Sequence, residues 1–256
     1  MKKHLASFRK GWQSENLARY ILSNFAFISQ PSTIADDLGS DFFCTIFEAV
    51  PNNKNNALVP KESFAIQIKS NRKPFCITGK TEYLKNLGIP FFVGVCNKKK
   101  QNLEFYSGEY LIPFFIDEPA AEKIKIKLSE TDDCKENRYS EKDGEYTIKF
   151  PKLFNIGSNH DSPEFKEAIK NLSKACRTIS RNITRRNNKE YIFFESFSNN
   201  FILVSNKKTI KESMDTRLNK IFFELAYILD KRYIETDLKK YNKIKEALRK
   251  VLESGL

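Results

Sequence analysis

Histidine is nearly missing: His4 and His160 are the two in 256 residues. That scarcity excludes an HExxH site or a histidine-rich metal centre, and allows a catalytic triad only if His160 is placed for one. Cysteine is sparse as well. Cys44, Cys76, Cys96, Cys134 and Cys176 are scattered, odd in number and without a CxxC spacing. They read as buried thiols of a reducing compartment, not as a disulfide frame or a zinc site. Long apolar runs are lacking too. Ile89–Cys96 and Ile221–Leu229 fall far short of the roughly 20 residues of a spanning helix. The basic start, Met1-Lys2-Lys3-His4, is not followed by the apolar core of a signal peptide. The expectation is a cytoplasmic protein with no membrane partner.

What is plentiful is aromatic and basic. With 22 Phe and 40% hydrophobic residues the composition is that of a folded chain, long enough for one substantial domain and an appendage. Lys+Arg 44 against Asp+Glu 32 gives a formal charge of +12. Such an excess favours a polyanionic partner, with nucleic acid ahead of a membrane surface.

Periodicity orders the elements. Trp12, Glu15, Leu17, Ala18, Ile21 and Leu22 give a helix over 10–24, and Phe25–Gln30 a strand stopped by Pro31. A second strand runs from Asp41 to Glu48 after the turn Ala35–Ser40. Pro51–Asn56 reads as a loop. In Phe64-Ala65-Ile66-Gln67-Ile68-Lys69-Ser70, alternation puts Phe64, Ile66 and Ile68 on one face and Gln67 with Lys69 on the other. A hairpin centred near Asn55 sets Asp41 across from about Lys69, with Gln67 close by. Side chains facing each other there have Cβ atoms about 5 Å apart. A short helix at Thr78–Leu87, a strand at Ile89–Cys96 buried on both faces, a turn at Lys98–Lys100 and a strand at Leu103–Tyr106 follow.

The second half carries fewer signals. Glu122–Lys127 alternates as a strand does, and Asp132–Gly144 reads as a charged loop. Ser162-Pro163-Glu164 starts a helix that keeps an apolar stripe from Phe165 to Ile183. Lys174, Arg177, Arg181, Arg185 and Arg186 recur along it as a basic face, a candidate for phosphate contact; Lys98, Lys99 and Lys100 are a second. Two strands, Tyr191–Phe194 and Phe201–Val204, precede two helices at Thr209–Leu229 and Thr236–Leu252. Their apolar residues can pack on the core or form a dimer surface. The chain therefore divides into an α/β core at 1–125 with a mixed central sheet, and a mainly helical region at 126–256 with a short β-hairpin, for DNA contact or oligomerisation.

Taken together, Gly11-Trp12-Gln13-Ser14-Glu15 on a helix, Gly39-Ser40-Asp41 opening a strand and Gln67-Ile68-Lys69 on the next resemble the PD-(D/E)XK nuclease superfamily over about residues 8–108. The order αβββαβ is similar to the restriction-endonuclease-like core. The glutamine variant is similar to that of bacterial restriction and antiphage defence nucleases. The resemblance implies a Mg²⁺-dependent DNA endonuclease, with Mn²⁺ as a substitute. Asp41, Gln67 and the Ile68 carbonyl would hold the metal, and Glu15 would reach it through a water or a second ion. Lys69 would position the attacking water and offset charge in the transition state. Asp36, Asp37 and Glu48 are rivals for the acidic role, but Asp41 stands on the strand two residues after a glycine. Gln67 in place of a carboxylate removes one negative charge. It favours the alternatives, a catalytically inactive nucleic-acid-binding or assembly subunit of a defence complex; an RNA-cleaving enzyme of the same fold is another. A homodimer or a defence-system partner protein is the expected company.

Overall fold

In the computed structural model, residues 2–30, 39–52, 55–79, 81–130, 139–190, 192–195 and 201–204 are described, with isolated positions between 216 and 250. Helix α1 spans Lys2–Ser23. It buries Ser14, Ala18, Ile21 and Leu22, one stripe at helical spacing. Strands β1 (Ala26–Ser29), β2 (Phe42–Asn52) and β3 (Asn55–Lys69) follow, then β4 (Phe75–Thr78), helix α2 (Thr81–Asn86), β5 (Phe91–Asn97) and β6 (Asn102–Ser107). Helix α3 (Leu111–Asp117), β7 (Lys123–Ser129), β8 (Tyr139–Lys142), β9 (Glu145–Gly157), helix α4 (Pro163–Asn187) and the pair β10 (Ile192–Glu195) and β11 (Phe201–Val204) complete the described chain.

Nine strands form one mixed sheet in the order β1-β2-β3-β5-β6-β9-β7-β4, with β8 paired to β9. β3 with β5 and β7 with β9 are parallel; the other pairs are antiparallel. The sheet curls. The Lys69 ammonium lies 4.1 Å from the ring centre of Phe75, so β4, at the far end of the strand order, folds back over β3.

The two faces of β3 have different fates. Phe64, Ile66 and Ile68 are buried with Phe92 and Phe105, whose rings meet Phe64 edge-on at 5.5 and 6.2 Å. Gly94 is level with Ile68, and a Cβ there would sit 2.9–3.0 Å from the tips of Ile68, Ile66 and Leu103, so the missing side chain is the room those tips use. α1 packs on this face, since the Cys96 thiol donates to the Ser14 carbonyl at 3.0 Å. α4 packs here too, with Phe165 edge-on to Phe25 at 5.9 Å and Cys176 beside Cys44. Gln67 and Lys69 point the other way, into the curl.

The boundary at 125/126 falls inside β7, and β9 pairs with β6, so one sheet runs through to Gly157. The stretch read as a charged loop ends in the β8–β9 hairpin. Its turn, Asp143-Gly144, has φ of 53° and 73° at its two residues, the geometry an Asp-Gly pair supplies. α3 was missed because Leu111-Ile112-Pro113-Phe114-Phe115 is continuously apolar, with a proline that only the first turn of a helix tolerates. Pro51–Asn56 is mostly strand, paired as Pro51↔Asn56 and Asn52↔Asn55. The α4 start is as the sequence predicts: the Phe165 N–H donates to Ser162 Oγ at 3.1 Å. The two last helices fall largely outside the described residues, as do Asp36 and Asp37; Lys220, Ile221, Glu224 and Tyr227 are helical and exposed.

Candidate active site

The register between β2 and β3 decides what Asp41 meets. Phe42 pairs with Ile66, so Asp41 stands level with Gln67, two residues from the position expected from the sequence. The cause is the hairpin turn, closed by Asn52↔Asn55, together with an irregularity between Thr45 and Phe47. A shift of two residues preserves the strand's alternation. Asp41, Gln67 and Lys69 therefore share one face, although Asp41 is not opposite Lys69.

Hydrogen bonds hold Asp41 in place. Its backbone N–H donates to the Ile66 carbonyl at 2.9 Å, and its Oδ2 accepts the Ile68 N–H at 2.5 Å. The side chain thus continues the ladder where the strand backbone ends. Because carbonyls two residues apart point to the same side, the Ile68 carbonyl faces Asp41's strand as the Ile66 carbonyl does. Gly39 has a φ of 97°, which glycine adopts freely and which turns the chain into the strand. Ser40, 1% exposed, accepts a hydrogen bond from the Tyr83 hydroxyl of α2 at 3.0 Å.

Gln67 Oε1 is buried and has no hydrogen-bond partner. Leaving such an oxygen unpaired costs about 1–3 kcal/mol. By the strand register Gln67 stands level with Asp41, and Ile68 follows it in the chain. Three oxygen donors of this kind suit a hard divalent cation that keeps waters for its remaining positions. Among the described residues no three His, Cys, Asp or Glu side chains gather into a metal-holding group, so the donors at this edge are one carboxylate and two neutral oxygens.

Glu15 comes to the same end of the sheet from the other face. Its neighbour Ser14 holds Cys96, and Gln13 Oε1 accepts from Lys98 Nζ at 3.1 Å, so this turn of α1 lies over the end of β5. Lys69 pairs with Val95 on that strand. Glu15 is half-buried there.

Beside the site stands a network that sequence reasoning missed. Glu104 is level with Val95, and so with Lys69, and its side chain is 7% exposed. Arg72 grips it bidentately, Nε to Oε2 at 2.7 Å and Nη2 to Oε1 at 2.5 Å. The Tyr106 hydroxyl donates to Oε2 at 3.1 Å, and Lys152 lies 3.8 Å from Oε1. Glu130 pairs with both Arg72 and Lys152. This clamp fixes the turn that follows Lys69. Burial pushes the Glu104 carboxyl up, but Arg72, Lys152 and the Tyr106 hydroxyl outweigh it and hold the carboxyl below the usual glutamate range. Burial, then the Glu104 charge, pushes the Tyr106 phenol well up. A glutamate in a short strand carries no sequence sign of burial; its partner Arg72 is distant in the chain.

The depressed Glu104 value has a consequence with a definite sign. Its stabilisation is complete above the unfolded glutamate value, about 4.3, and is lost as pH falls through the lower folded value. The stability gap between wild type and Glu104→Gln should be widest near neutral pH and shrink as pH falls below the unfolded glutamate value. Urea midpoints at several pH values measure it, and a gap independent of pH would refute the role given to this carboxylate.

Of the two basic clusters, one lies at this end. Lys98 and Lys99 line a cleft of about 550 Å³ with Arg72, Asn71, Gln13 and Glu104, and Lys100 is exposed in the same turn. The α4 cluster is on the opposite face. Arg177 pairs with Glu62 at 3.1 Å. Arg186 donates to the Lys85 carbonyl at 2.5 Å, and burial holds its guanidinium below the usual arginine range; it ties α4 to the end of α2. Arg181 is exposed and Arg185 half-buried.

Among the described residues no helix is long and apolar enough to cross a membrane. Compared with protein-family models, with curated proteins and with solved structures, the chain gives no match in any of the three.

Proposed function

We propose that this protein is a metal-dependent endonuclease of the PD-(D/E)XK class that hydrolyses phosphodiester bonds in DNA, with restriction or antiphage defence as its setting. The single observation that carries the reading is the buried, unpartnered Gln67 Oε1 beside Asp41 on the strand that presents Lys69. Two features add support. The run α1-β1-β2-β3-α2-β5, with β3 parallel to β5, is the αβββαβ order with one short strand, β4, inserted. The charge of +12 and the cleft lined by Lys98, Lys99 and Arg72 favour a polyanion at that end of the sheet.

Asp41, Gln67 Oε1 and the Ile68 carbonyl would hold Mg²⁺ or Mn²⁺. Once bound, the ion supplies Lewis acidity toward a phosphoryl oxygen and lowers the pKa of a coordinated water. The chain's own groups do the remainder. Lys69 provides positive charge where a phosphate would lose its hydration, and the cation–π contact with Phe75 keeps its ammonium in the curl. Glu15 would act through water from the α1 side. The Arg72–Glu104 clamp keeps the end of β3 rigid.

Two observations favour a second reading, a nucleic-acid-binding subunit without catalysis. No three-acid cluster exists among the described residues, and Lys69 rests on an aromatic ring. Incubation of the purified protein with plasmid and with RNA, in Mg²⁺, Mn²⁺ or EDTA, separates the readings. The proposal expects metal-dependent nicking or cutting of DNA. Binding without cleavage in every metal would sink it, and cleavage of RNA alone would move the substrate.

A further inference from the structure

The cleft of about 550 Å³ at the end of β3, β5 and β6 is lined by three amides, and the carbonyl oxygen of each is taken by a donor of the protein. Asn71 Oδ1 accepts the Lys73 N–H at 2.9 Å, and Asn97 Oδ1 accepts the Lys100 N–H at 3.2 Å. Gln13 Oε1 accepts from Lys98 Nζ. The carboxylate lining the cleft, Glu104, is held by Arg72, Tyr106 and Lys152. An amide whose oxygen is engaged has its NH2 group left to offer a ligand. Among the described residues, the amide and carboxylate oxygens of the cleft are therefore occupied. A ligand meets amide N–H groups and the charge of Lys99.

The cleft sits at the base of an antiparallel ribbon. β5 and β6 pair as far as Asn97↔Asn102, and the turn between them, 98–101, is exposed. A two-stranded ribbon fits the major groove of B-DNA, where each base shows its own pattern. Adenine and cytosine present an amino donor there, which N–H groups oppose. Thymine has a single acceptor beside a methyl group, whereas guanine presents two acceptors, N7 and O6. The common pairing of Asn or Gln with adenine needs the amide oxygen, and here that oxygen is taken. We propose that the tip of the β5–β6 ribbon reads a guanine in the major groove, through the Asn71 and Asn97 amides and Lys99. Duplex DNA as the ligand rests on the proposed function. The fold also gives the guanine a place. Asn71 is two residues beyond Lys69, and Asn97 two beyond Val95, the partner of Lys69. Two residues of extended chain span about 6.6 Å, close to two base-pair rises of about 3.4 Å, so the guanine lies within about two base pairs of a phosphate at Lys69.

Binding in EDTA to a randomised duplex library, with sequencing of the bound fraction, should enrich guanine at a fixed position. Fluorescence anisotropy on an enriched duplex then identifies the atoms read. Replacing that guanine by 7-deazaguanine, which keeps the base pair and loses N7, should weaken binding roughly fivefold or more. Inosine, which keeps N7 and O6, should bind as guanine does. Asn71→Asp and Asn97→Asp each keep an oxygen for the N–H now accepted and lose the NH2 donors, so guanine enrichment should fall in both. Absence of guanine enrichment, equal binding of the 7-deazaguanine duplex, or unchanged enrichment in both variants would overturn the proposal. The cations would then hold phosphates alone. Cutting of DNA without guanine preference would leave the nuclease reading standing, and guanine enrichment without cutting would sink that reading and keep this one.

Discussion

Asp41→Asn should lower metal-dependent DNA cleavage by roughly 10³-fold, the equivalent of ~4 kcal/mol of transition-state stabilisation. Asp41 brings a full negative charge to the Gln67 edge, so its loss removes much of the attraction for a divalent cation. Asparagine keeps an oxygen able to accept the Ile68 N–H, which separates chemistry from folding. Asp41→Ala would also orphan that N–H and cost about 1–3 kcal/mol in stability. Thermal unfolding of Asp41→Asn close to wild type, together with lost cleavage in Mg²⁺ and Mn²⁺, is the expected pair of results. Unchanged cleavage would move the chemistry elsewhere.

Phe64→Ala should give the largest loss of stability, about 3–5 kcal/mol. Phe64 is fully buried and meets Phe92 and Phe105 edge-on, beneath the face covered by α1 and α4. Truncation leaves a cavity at the middle of β3, and its neighbours on β5 and β6 are strands that cannot close in. A domain of ordinary stability has about 5–15 kcal/mol in total, so this change alone brings it near unfolding at moderate temperature. Urea unfolding should show a lower midpoint with a similar slope. A midpoint within about 1 kcal/mol of wild type would mean that this cluster is not the centre of the core.

The faces of β3 were legible because alternation depends on neighbours alone. Phe64, Ile66 and Ile68 are inside one layer, and Gln67 and Lys69 point into the curl. Register was not legible, since it depends on a turn whose residues, Asn52 to Asn55, are as polar as a loop. The error was two residues, so Asp41 stayed on the right face and only its partner changed. The buried central strand Phe91–Asn97 and the capped start of α4 were equally local signals. The charged groups misled most. Arg186 sits in a basic run, yet it is bound to a backbone carbonyl of α2. Glu104 looks like a solvent-facing strand residue, yet Arg72 from the turn after β3 encloses it. Such pairings are made by the sheet's curl, and no spacing in the sequence encodes them. The β8–β9 hairpin is different: Asp143-Gly144 was a turn signal in plain view, and the charged residues around it concealed the strands.

The curl also separates the two basic clusters. Lys98–Lys100 and Arg72 lie at the end of the sheet that carries Asp41, Gln67 and Lys69, whereas the basic residues of α4 lie on the other face. Under the nuclease reading, the cationic surroundings of Gln67 stand where a third acid would otherwise add charge for the metal.

The central claim is that Asp41, Gln67 and Ile68 hold a divalent cation, and Mn²⁺ titration followed by electron paramagnetic resonance tests it most directly. Wild type should take up Mn²⁺ with Mg²⁺ competing for it, Asp41→Asn should bind at least tenfold more weakly, and Gln67→Glu should bind more tightly because it adds a charge. Wild type that binds no Mn²⁺, or binds it as Asp41→Asn does, would contradict the account.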